Sequence, residues 1–195
     1  PRTVSSTTLA VLSMALDRAV RLELIPVSPA TNVYVPRQPP AERHVWDAHE
    51  ARRFLGAAAG HRFDSLFVVM LTLGLRIGEV LALRWDAIDM DAGLITIRRT
   101  LSKSDNKRFR IVDTTKTRAG RRTIVLPESC ILALRIQRNE QDLRRALYRG
   151  LWHPDDAVFD AGNGRHYRTY GAVYAALTHI AADAGVRQLT SHELR

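Results

Sequence analysis

The stretch Thr72-Leu73-Gly74-Leu75-Arg76-Ile77-Gly78-Glu79-Val80-Leu81-Ala82-Leu83-Arg84-Trp85 sets a permanently charged guanidinium inside an otherwise apolar run. Leu66 to Leu75 is apolar except for Thr72 and Gly74, and Ile77 to Leu83 resumes the pattern. The pattern predicts two buried helices that meet at a glycine corner, with Arg76 at the corner itself. An arginine there cannot shed its proton, so burying it is costly without a compensating charge. Two accounts follow. Either Arg76 is satisfied by Glu79, three residues on and on the same helical face, or it waits for an anionic ligand.

Working outward, Met90-Asp91-Ala92-Gly93 reads as a turn and Leu94-Ile95-Thr96-Ile97-Arg98 alternates like a strand. Arg108 to Val112 and Arg121 to Leu126 read as two further strands, with Arg118-Ala119-Gly120 as the hairpin tip between them. Together these predict a small antiparallel sheet with basic edges. Pro127-Glu128 suits the first turn of one or two helices running to Gly150, with Arg135, Arg138, Arg144, Arg145 and Arg149 on a solvated face. A helix is expected from Arg168 to Ala184, stopped by Gly185, with Val173, Leu177 and Ile180 as its core stripe. Thr190-Ser191-His192-Glu193 has capping-box spacing and opens a last helix, on one turn of which His192 and Arg195 share a face.

Upstream, Asp47 and Glu50 form a capping box for a helix over Ala48 to Ala59, with Phe54 and Leu55 facing inward. His44, Asp47, His49 and Glu50 could also be metal ligands, but capping already explains the acids, and no metal is expected. Val27 to Arg43 carries Pro29, Pro36, Pro39 and Pro40 without periodicity, as a semi-rigid connector does. Ser5-Ser6 can cap a helix through Leu9, Leu12, Leu16, Ala19 and Val20 that ends near Leu24-Ile25-Pro26. One helix cannot bury its own face, so residues 1–34 read as the end of an upstream helical domain, 35–43 as a Pro-rich linker and 44–195 as a second domain.

The 195 residues carry a net charge of +9, and the window from Arg98 to Arg122 holds ten Lys/Arg against two Asp. Basicity this local favours a polyanionic partner, nucleic acid ahead of an anionic membrane surface. With one cysteine, Cys130, on an apolar helical stretch, an internal disulfide is impossible, and a reducing, cytoplasmic setting is expected. The longest apolar run is about half the roughly 20 residues a membrane span needs. A chain that opens at Pro1 and stops at Arg195 in mid-pattern is expected to be a fragment.

An arginine at a buried corner, a lysine (Lys116) on a basic hairpin and a His–Arg pair at a helix start together suit phosphoryl transfer on a DNA backbone. A guanidinium fork binds the non-bridging oxygens, and mobile acids serve the leaving oxygen. These three stretches resemble the tyrosine recombinases, or phage-type integrases. Gly74 to Trp85 with Asp86 to Asp89 is similar to that family's first-arginine box. Lys116-Thr117 to Arg122-Thr123-Ile124-Val125-Leu126-Pro127 is similar to its lysine hairpin, with Val125 where many relatives have proline. Thr190 to Arg195 is similar to its His-x-Leu-Arg box. The resemblance implies an α+β, predominantly α-helical catalytic domain with a small antiparallel sheet, preceded by the last helix of a core-DNA-binding domain. It implies that Arg76 and Arg195 clamp the scissile phosphate, that Lys116 protonates the leaving 5′ oxygen, that His192 assists proton transfer and that Glu79 supports the corner. Lys116, Arg118, Arg121 and Arg122 would contact duplex DNA, with self-association into a tetrameric synapse and no cofactor.

In that family a tyrosine downstream of the second arginine forms a 3′-phosphotyrosine. Tyr34, Tyr148, Tyr167, Tyr170 and Tyr174 all precede that box here, so the nucleophile is expected to lie outside this chain. The alternative is a non-catalytic DNA-binding protein that occupies recombination sites. An RNA-binding module is disfavoured for want of an aromatic stacking platform.

Overall fold

The computed structural model describes residues 2–33, 45–104, 108–113, 121–167, 169–190 and 193. Two compact units divide the chain, Pro1–Glu42 and Arg43–Arg195.

Among the described residues of the first unit one helix, α1, spans Arg2–Arg21. It starts before Ser5-Ser6, which lie within its first turns instead of capping it, and it stops short of Leu24. Glu23 adopts a left-handed conformation (φ 56°), which lets the Leu24 N–H reach back to the Ala19 carbonyl and closes the helix. Val11, Leu12 and Met14 remain 50–72% exposed.

The second unit holds the core. Helix α2 (Ala48–Ala58) opens on the expected capping box: Asp47 accepts from the His49 and Glu50 N–H groups, and Glu50 returns a bond to the Asp47 N–H at 3.0 Å. Helix α3 (Asp64–Leu73) is almost wholly apolar and packs against both α2 and α5 (Glu128–Tyr148), so Leu66, Phe67, Val69 and Met70 are sealed at 0–1% exposure. Cys130 and Leu134 on α5 close the same core. Phe54 stacks edge-on to Phe67 and tilts against Trp46, whose indole N–H donates to the Arg187 carbonyl. Helix α6 (Gly171–Asp183) seats Val173, Leu177 and Ile180 against α2, and Gly185 at φ 61° ends it as its sequence position requires.

The strands depart from the expected hairpin. Leu94–Ile97 (β2) and Arg99–Lys103 (β3) form one run interrupted at Arg98. Phe109–Asp113 (β4) pairs antiparallel with β3, whereas Arg122–Val125 (β5) pairs with β2, whose other neighbour is Ile88–Asp89 (β1). Strands 108–112 and 121–126 therefore do not pair with each other, and the tip expected at Arg118-Ala119-Gly120 lies outside the described residues. β1 is not expected from the sequence either, and β3 carries no sequence signal: in Arg99-Thr100-Leu101-Ser102-Lys103 one residue, Leu101, is apolar, so its strand character comes from the ladder and not from a hydrophobic alternation.

Candidate active site

Gly74 turns the chain at φ 58°, a left-handed conformation that an L side chain adopts at a cost, and its N–H closes α3 onto the Met70 carbonyl. Two residues later Arg76 takes an extended backbone as the N-cap of α4 (Ile77–Leu81). This geometry reverses the expectation for the corner. The Arg76 side chain is 54% exposed and points outward, and the buried charge is Glu79, at 3%. The local pair is present: Glu79 Oε2 accepts from the Arg76 backbone N–H at 2.9 Å, and Glu79 Oε1 accepts from Arg76 Nη1 at 3.2 Å.

Glu79 has a second and closer cationic partner. Arg122 Nη1 and Nη2 donate to its two carboxylate oxygens at 2.9 and 2.8 Å, a fork-to-fork pair. Burial pushes the Glu79 carboxyl up, but the Arg122 hydrogen bonds, the Arg76 N–H and the Arg122 charge outweigh it and hold the group below its ordinary value. The same pairing raises Arg122. Arg122, expected to face DNA, thus commits its guanidinium to Glu79, and sequence reasoning has no signal for this contact because the partners are 43 residues apart. Arg121 next to it is exposed. Lys116, Arg118, His192 and Arg195 lie outside the described residues. At the start of the last expected helix, the Thr190 N–H donates to Glu193 Oε2 at 2.7 Å, which is one half of the expected capping box.

Gly78 is what allows the sheet to sit on this corner. A Cβ there would stand 2.7 Å from Thr100 Oγ1 and 2.8 Å from the Leu101 carbonyl oxygen, so β3 packs directly on the α4 backbone. Tyr170 pins the same carbonyl through its hydroxyl at 2.5 Å. At the far end of α4, His166 Nδ1 lies 3.0 Å from the Leu81 carbonyl, and since a carbonyl can only accept, Nδ1 carries the proton. Burial lowers the His166 pKa, which keeps the ring neutral.

Two arginines expected on a solvated face have specific partners. Arg138 lies 4.7 Å over the Trp85 ring, whose indole N–H donates to Gln141. Arg144 reaches the buried Asp160, which also accepts from Gln141 and from the Gly162 and Gly164 N–H groups. Of the tyrosines, Tyr167 accepts from Arg62 and Tyr170 donates to Leu101, so both hydroxyls are already engaged.

Residues 45–195 match the phage integrase family. Among curated proteins, a XerC-like tyrosine recombinase of Caldanaerobacter subterraneus subsp. tengcongensis is 29% identical over 107 residues, covering 51% of this chain and 27% of that protein. An integrase of Streptomyces ambofaciens is 26% identical over 178 residues, covering 84% of this chain and 44% of its own. Among solved structures, the Tn1549 transposon integrase in complex with circular intermediate DNA superposes with a TM-score of 0.74 at 19% identity, over 97% of this chain and 63% of that one. A lambda integrase dimer bound to a core site gives 0.62 at 13%, over 99% and 50%. The chain thus spans less than half the length of these curated relatives.

Proposed function

The chain belongs to the phage integrase family, and from that premise we propose that it is the phosphate-holding part of a recombinase that cuts and rejoins duplex DNA. The observation that carries this is the Arg76 corner: an exposed guanidinium fixed at its backbone by a buried carboxylate that a second arginine already neutralises. A guanidinium rooted in this way and left exposed can present its N–H groups to non-bridging phosphate oxygens.

In this proposal Arg76 and Arg195 bind the scissile phosphate. A tyrosine hydroxyl attacks phosphorus and releases its proton to solvent, the bond to the 5′ oxygen breaks, and a 3′-phosphotyrosine forms. Lys116 gives its proton to the departing 5′ oxygen and His192 assists that transfer. The bond energy stays in the phosphodiester, so religation needs neither ATP nor a metal-activated water. Because all five tyrosines of the chain precede the Thr190 to Arg195 box, the attacking tyrosine is proposed to come from outside residues 1–195. Residues 1–34 are proposed as the end of a core-DNA-binding domain joined by the linker 35–43. Assembly on DNA is proposed through self-association.

The test is a nicked duplex that traps the covalent intermediate, incubated with the 195-residue chain and with a version extended by its natural downstream sequence. We expect a denaturation-resistant protein–DNA band from the extended version alone. A band from the shorter chain would implicate one of its own tyrosines, and no band from either would favour a protein that occupies sites without cutting them.

A further inference from the structure

Glu79 is nearly sealed from solvent at 3% exposure, yet two guanidinium groups converge on it. They do so unequally. Arg122 engages both carboxylate oxygens, at 2.9 and 2.8 Å, and is itself 27% exposed. The Arg76 side chain makes a single contact at 3.2 Å and is 54% exposed. A buried carboxylate that loses its partner is costly, so it holds on to whatever cation is available.

We propose that Arg122 is a positioning residue that keeps Glu79 neutralised so that Arg76 is free to leave it for a phosphate. With Arg122 in place, both oxygens of Glu79 keep a charge-assisted bond when the Arg76 guanidinium moves away. The Arg76 backbone N–H, bonded to Oε2 at 2.9 Å, stays where it is, so the side chain swings from a fixed root. Without Arg122, Arg76 is the remaining cation on Glu79 among the described residues, and an incoming phosphate must compete with a buried carboxylate for it. Two arginines around one acid leave a surplus positive charge, and the geometry assigns that surplus to the exposed partner.

Arg122 also opens β5, directly after the segment that carries Lys116, with Ile97 as its cross-strand partner. The fork therefore ties the end of the lysine segment to the arginine corner. One N–H of each of its terminal nitrogens is committed there, so in this proposal Arg122 acts on the phosphate through Arg76.

This inference rests on the phosphate-binding role of Arg76, and its test separates the two. Affinity for a fluorescein-labelled duplex of arbitrary sequence is measured by anisotropy at one low salt concentration. The cost of Arg76→Gln is compared in the wild-type, Arg122→Gln and Arg122→Gln/Glu79→Gln backgrounds, with urea unfolding run on each. Gln at 79 keeps an oxygen for the Arg76 N–H but carries no charge.

In the wild type R76Q should weaken binding about tenfold, the loss of a charged hydrogen-bonding group. With R122Q the cost of R76Q should largely vanish, because Arg76 is then held by Glu79. Adding E79Q should bring the cost back. An undiminished cost in R122Q, or no return with E79Q, would overturn the proposal and leave the phosphate-binding role standing. No cost in the wild type would overturn both. Loss of fold alone would follow the urea midpoints and show no rescue. Should R122Q not fold, the same comparison on Arg122→Lys decides, since an ammonium cannot reproduce the two-point fork and the cost of R76Q should fall by an intermediate amount.

Discussion

At Glu79 the free energy of a buried charge and the availability of a surface charge are settled by the same few hydrogen bonds. Its carboxyl lies below the ordinary value in the folded protein, so its contribution is fully present above the unfolded carboxylate range, about pH 4.3, and is lost as pH falls through the depressed folded value. Comparing wild type with Glu79→Gln by urea unfolding should therefore show a stability difference on the order of 1–3 kcal/mol at about pH 7 that shrinks toward zero in acid. A difference independent of pH would mean that the ionised form contributes nothing. Half of this cluster is legible in the sequence. Arg76 and Glu79 sit three apart, and helical spacing alone brings them together. The other half is not, because Arg122 reaches Glu79 only once β5 has paired with β2 in the register that sets Arg122 opposite Ile97. Spacing also misjudges which charge is buried: the apolar neighbours of Arg76 point inward while its own side chain, at an N-cap with extended backbone, points out.

The elements follow the same division between local and distant causes. The helices are readable because their apolar positions repeat and their ends carry recognisable residues: Asp47 with Glu50 for α2, Gly74 for α3, Gly185 for α6. The sheet is readable in part, since β2, β4 and β5 fall where strands are expected, but β3 owes its existence to pairing with β4 and to lying against α4. Gly78 is the test of that packing. Gly78→Ala places a methyl within 2.7–2.8 Å of Thr100 Oγ1 and the Leu101 carbonyl oxygen, and backbone cannot rotate away as a side-chain tip can. Overpacking of this kind costs on the order of 1–3 kcal/mol. Thermal unfolding should show a lower midpoint for this variant, whereas a matching change at Gly60, where nothing lies within 4 Å of an added Cβ, would report only the strain of its φ of 76°. An unchanged midpoint for Gly78→Ala would show that β3 can back away from α4 at no cost.

Across the whole chain, the division at Glu42 and Arg43 gives two units with separate internal packing. The hydrophobic core lies within residues 54–189. Residues 45–195 expressed alone should unfold cooperatively at a midpoint close to that of the full chain, measured by circular dichroism, and a large drop would mean that α1 supplies stability to the second unit. Affinity for duplex DNA should fall with salt in either version, each neutralised phosphate adding roughly −0.9 to the slope of log K against log salt. A flat dependence would remove DNA as the partner. Net charge and the basic window are what composition offers toward the proposed polyanionic partner, because electrostatics of this kind needs no tertiary structure. The route by which the basic window enters the fold is hidden in the pairing order. Asp113 pairs with Arg99 and Arg122 with Ile97, so the cross-strand partners of these two residues lie two apart on one strand run. Asp113 and Arg122 are thus held within roughly 12 Å of each other, two inter-strand spacings combined with the rise of two residues. A one-residue slip of β5 along β2 would turn Arg122 to the opposite face of the sheet and strip Glu79 of its fork, so the register of this ladder and the arginine corner stand or fall together.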